Sequence, residues 1–67
     1  MGLVYWKRVG DEWRLQVGMV RHVATVWDNG TWHTWDRRGT GGENDVEATV
    51  ARAKIEAAAS AIAQGFI

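Results

Sequence analysis

The segment Asp28-Asn29-Gly30-Thr31 constrains this chain more than any other. Asn-Gly tolerates positive φ at two successive positions, as a two-residue type I′ hairpin turn requires, and alternating apolar and polar residues flank it. A turn of that length fixes register. It predicts that Asp28 pairs with Thr31, Trp27 with Trp32, Val26 with His33, Thr25 with Thr34 and Ala24 with Trp35. Side chains alternate across a sheet. One face is therefore expected to carry Val23, Thr25, Trp27, Trp32 and Thr34, and the other His22, Ala24, Val26, His33, Trp35 and Arg37.

Around this hairpin, Leu3 to Val9 reads as a strand closed by the turn Gly10-Asp11-Glu12, and Trp13 to Val17 alternates as a half-buried strand does. After a turn at Gly18, Arg21 to Asp28 and Thr31 to Arg37 form the hairpin arms. Arg38-Gly39-Thr40-Gly41-Gly42 reads as a loop. Asn44 or Asp45 then suits a helix cap, with Glu47 completing a capping box, and Gly65 suits the left-handed residue past the helix end. The expected fold is α+β: a three- to four-stranded antiparallel β-meander packed on one C-terminal α-helix. It forms a single domain over residues 1–67, with the sheet over about 3–37 and the helix over about 45–64.

At helical spacing, Ala48, Ala51, Ile55, Ala58, Ala59 and Ile62 share a stripe, which is expected to cover the Trp27/Trp32 face together with Trp13, Leu15 and Val17. Val46, Val50, Ala53 and Ala57 form a weaker stripe opposite, read as a solvated Ala-rich surface. One helix covers one face of a sheet. The other face is left with Val26 and Trp35 outward, flanked by His22, His33 and Arg37. A contiguous exposed aromatic surface on a small protein marks an interface.

Composition narrows the function classes. A chain of 67 residues and 7.5 kDa builds a small core. It holds no cysteine, so thiolate metal sites and disulfides are excluded. Eight basic residues balance eight acidic ones; residues 1–40 hold six basic and four acidic side chains, too weak an excess for strong phosphate binding. No apolar run reaches the ~18 residues of a membrane span, and the N-terminus lacks the order of a signal peptide. A cytoplasmic protein is expected.

The segment Trp32-His33-Thr34-Trp35-Asp36-Arg37-Arg38 concentrates rings, imidazole and guanidinium groups. Trp35, His33, Arg37, Arg38, His22 and Val26 are the candidate binding residues, with Trp35 as anchor and the arginines facing acidic groups of a partner. His22, His33, Asp28 and Asp36 lack metal-site spacing, so no metal or other cofactor is expected. Ser60 has no histidine near it in sequence and no carboxylate pair is arranged for acid–base work, so no enzyme is expected. Gly39-Thr40-Gly41-Gly42 before a helix suits an anion, but Glu43, Asp45 and Glu47 would repel one.

The run Asn29-Gly30-Thr31-Trp32, followed by Glu47-Ala48 and Ala53-Lys54-Ile55-Glu56-Ala57, resembles small phage and prophage proteins that join a Trp-containing sheet to one Ala-rich helix. The resemblance implies a protein-binding module, in the class that includes inhibitors of host defence such as anti-CRISPR proteins. A sheet-based nucleic-acid binder is the alternative, and a homodimer through the same surface is the third reading.

Overall fold

A computed structural model describes residues 3–35 and 41–67. Five strands, β1 (Val4–Val9), β2 (Glu12–Val17), β3 (Arg21–Trp27), β4 (Thr31–Trp35) and β5 (Gly41–Val46), precede one helix, α1 (Val50–Ala63). The strands form an open antiparallel sheet in the order β1-β2-β3-β4-β5. The α+β meander with a C-terminal helix is as expected. The strand number is not: residues 41–46, read as loop and helix cap, pair with β4 as a fifth strand.

The central hairpin departs from the two-residue reading by one residue. The amide of Gly30 donates to the carbonyl of Trp27 at 3.0 Å, so Asp28, Asn29 and Gly30 together form the loop. Gly30 has φ +87°, and no residue other than glycine has positive φ among those described, so Asn29 does not take the type I′ conformation. This is the pattern of the three-residue loop that ends in a left-handed glycine. Val26 consequently faces Trp32, Thr25 faces His33 and Ala24 faces Thr34. A one-residue change moves each β3 side chain to the opposite face relative to β4. Gly30 is also required by contact: a Cβ there would lie 2.1 Å from the carbonyl oxygen of Glu47, whose amide donates to Gly30.

A second irregularity lies on β3. Leu15 faces Ala24 but Gln16 faces His22, which leaves Val23 as an extra residue in the pairing. Val23 and Ala24 are both fully buried. The bulge returns His22 to the face shared with Gln16 and Thr25.

The inner face of the sheet packs on α1 through Leu15, Val23, Ala24, Val26 and Trp32, against Ala53, Ala57 and Ala61. The helix lies on β3, β4 and β5. Trp6 and Trp13 stand beyond its edge, where the ammonium of Lys54 sits 3.5 Å from the Trp13 ring centroid and 5.9 Å from that of Trp6. Trp32 is buried with its indole N–H donating to Glu47 at 3.1 Å.

The helix is rotated from the expected setting. Ala53, Ala57, Ser60 and Ala61 are buried, whereas Ile55 and Ile62 are exposed at 59% and 64%. Two features favour this rotation. Small side chains let the helix approach a sheet that already presents a bulky indole and two valines. The same stripe also carries Ser60 into a polar cluster. Its hydroxyl donates to Glu43 at 2.6 Å and accepts from Gln64 at 2.7 Å, and Thr34 lies 3.3 Å away. Glu43 thus ties β5 to the C-terminal half of the helix rather than guarding its start.

The helix begins later than expected. Thr49 is the cap, its hydroxyl accepting from the amide of Arg52 at 3.1 Å. Its end is as expected. Gly65, at φ +77°, donates to Ile62, and Phe66 donates to Ala61, the paired bonds of a Schellman motif. Phe66 then packs against the core.

Candidate binding face

The outer face of the sheet has no layer above it among the described residues. Its elements are placed by register: Glu12, Arg14 and Gln16 on β2 face Trp27, Thr25 and His22 on β3, and Thr25 faces His33 on β4. Thr25 and Gln16 are buried and form the floor. Over this floor stands an aromatic group. The Trp35 ring meets His22 edge to face, with centroids 4.7 Å apart and planes at 88°, and stacks on His33 at 5.5 Å and 28°. Trp27 and Trp35 are both half-buried.

Beside this group lies a hollow of about 440 Å³, lined by Trp27, Thr31, His33, Asn44 and Val46 with Trp32 and Asp45. His33 is shared between the hollow and the ring stack. The two features form one continuous strip, from Val46 and Trp27 at one end of β4 to Trp35 and His22 at the other. Its lining is mostly apolar, with hydrogen-bonding groups at His33, Asn44 and Thr31.

The electrostatics of the strip are mild. Arg14 and Glu12 pair at 2.8 Å. Burial pushes the pKa of His22 below its ordinary value of 6.5, and the charge of Arg14 adds to that direction. At neutral pH the His22 imidazole is therefore uncharged and free to accept a hydrogen bond. A second ion pair lies at the hairpin end of the sheet, where Arg8 holds Asp28 through two bonds of 2.8 and 2.9 Å. That contact lowers the pKa of the Asp28 carboxyl and raises that of Arg8.

Of the residues picked from the sequence, the structure brings Trp35, His33 and His22 together. Val26 is not among them: it is fully buried beneath the helix, because the longer hairpin loop turns it inward and turns Trp27 outward in its place. Arg37 and Arg38 lie outside the described residues. Trp27, Thr31, Asn44 and Val46 were missed as parts of the strip. The signal for Trp27 was the Asp-Asn-Gly triplet, which suits a three-residue loop as well as a two-residue one. Asn44 and Val46 join only because β5 exists.

Among the described residues, no three His, Asp or Glu side chains come together as a metal site would need. No helix there is long and apolar enough to cross a membrane. No protein-family model matches the chain, and no curated protein or solved structure shows significant similarity to it.

Proposed function

We propose that this chain is a non-enzymatic protein-binding module that docks its partner on the outer face of the sheet. An apolar side chain of the partner enters the hollow against Trp27 and Val46. Trp35 supplies the second anchor, and His22, His33 and Asn44 supply polar contacts around the two. The observation that supports this most is the placement of Trp27 and Trp35. A domain this small gains roughly 1.5–3 kcal/mol for each large side chain it buries fully, yet two of its five indoles stand half-buried on a face that no described residue covers. Rigid amphipathic rings beside a hollow are the usual anchors of a protein interface.

The size and style shared with small phage proteins make a host protein complex the proposed partner, with inhibition as the consequence of docking. A protein partner is favoured over nucleic acid because, among the described residues, no lysine or arginine lines the hollow and Asp45 does. The Arg14 guanidinium is already held by Glu12, and phosphate binding relies on free cationic groups.

Comparative capture from the native host tests this reading. Wild-type protein, the double variant Trp27→Ala/Trp35→Ala and the helix-surface variant Ile55→Ala are each used as bait. The reading expects a protein retained by wild type and Ile55→Ala and lost with the double variant. Equal capture by all three, or retention of nucleic acid that declines steeply with salt, would contradict it.

A further inference from the structure

The two edges of the sheet are built differently. β5 is broken by a register shift and is formed mainly of glycine, asparagine and acidic residues. Such features blunt an edge against pairing. β1 is regular: Val4 through Val9 pair with β2 without a bulge, and the strand carries no proline. The helix does not lie over it, since α1 packs on β3, β4 and β5. A regular edge that no described element covers is a template for another strand, and the charges of Lys7 and Arg8 on β1 restrict which strand can pair with it.

The outward backbone groups of β1 are identified by one bond. The carbonyl of Leu3 accepts from Gly18 at 2.8 Å, so Leu3 turns toward β2. Orientation alternates along an antiparallel strand. Tyr5, Lys7 and Val9 therefore also turn toward β2, and Val4, Trp6 and Arg8 present their N–H and C=O groups to the free edge.

We propose that β1 pairs with β1 of a second copy of this chain, antiparallel about a twofold axis through Trp6. This register places Trp6 opposite its own equivalent, as an exchange of two outward N–H···O=C bonds. It sets Tyr5 opposite Lys7 of the second copy, Val4 opposite Arg8 and Leu3 opposite Val9. Each residue from Leu3 to Val9 gains a partner, and no like charges face one another. The neighbouring registers are worse. Centring on Lys7 opposes two ammonium groups in a non-hydrogen-bonded pair, where strands approach to about 4.5 Å. Centring on Tyr5 runs past Leu3 and leaves Arg8 and Val9 without described partners. Lys7 thus acts as a selector of register. One strand pair is small beside the ~1,200 Å² of a tight interface, so the dimer forms with rising concentration rather than permanently. It leaves the outer strip free and is independent of the function proposed for it.

Sedimentation of the full chain across a concentration series up to near-millimolar tests the pairing. Wild type is expected to pass from monomer to dimer. Tyr5→Lys places lysine opposite Lys7 twice and weakens the dimer by about tenfold. The double variant Tyr5→Lys/Lys7→Glu restores it, and Trp35→Ala leaves it unchanged. Hydrogen exchange on unmodified protein gives a reading that needs no variant: the amides of Trp6 and Arg8 gain protection with concentration. A strictly monomeric wild type overturns the proposal. So does a dimer that ignores Tyr5→Lys, or one that the double variant fails to restore.

Discussion

The two faces of this sheet each carry indoles, and they treat them in opposite ways. On the inner face Trp32 is buried, its N–H is satisfied by Glu47, and alanines of the helix close over it. On the outer face Trp27 and Trp35 are half-buried beside the polar residues Thr25 and Gln16. Trp35 meets His22 edge to face and stacks on His33, and no layer lies above among the described residues. An indole that serves folding has its hydrogen bond made within the chain and its ring enclosed. An indole kept half-exposed beside a hollow contributes less to stability, and in the proposed reading it serves docking instead.

Substitution sharpens that contrast. Trp32→Ala should cost about 3–5 kcal/mol in a denaturant melt, from lost burial and the cavity left behind. Gly30→Ala should follow at about 2–4 kcal/mol, because the left-handed φ and the Glu47 carbonyl both oppose a Cβ. Ser60→Ala, which removes a donor to Glu43, should cost about 1–2 kcal/mol. If Trp35→Ala costs as much as Trp32→Ala, the outer rings are core and the contrast fails. Ile55→Ala should stay within about 0.5 kcal/mol, since this side chain is exposed on the outer side of the helix.

The smallest expected effect is on pH dependence. The folded state lowers the pKa of His22, so just below pH 6.5 the unfolded chain binds more protons than the folded one. Stability from this group is therefore complete above pH 6.5 and declines as pH falls from there through the folded pKa. Denaturation midpoints of His22→Gln should show a shallower decline over that window than wild type.

Much of this was legible in the chain. Alternation placed β1 to β4 within a residue or two, and Gly65 marked the helix end. The misses have physical causes. β5 contains a single large apolar residue, Val46, and is held at the edge by backbone pairing, which leaves no hydrophobic period to read. The hairpin loop is one residue longer because Gly30 alone adopts the left-handed conformation, and that exchanged Val26 with Trp27. His22 kept its outward position because the bulge at Val23 offset the change. The helix was oriented by side-chain bulk, when closeness of approach and the Ser60 cluster decide its rotation. Trp35, His33 and His22 lie together on the outer face, as expected, because their alternation on β4 and the position of His22 before the bulge survive both errors.

The account is tested most directly by photo-crosslinking in the native host cell, with benzoylphenylalanine placed at His33 in one variant and at Ile55 in another. It predicts a protein adduct from the sheet position and none from the helix position. An adduct from Ile55 with none from His33 would move the docking surface to the exposed helix stripe and contradict the central claim.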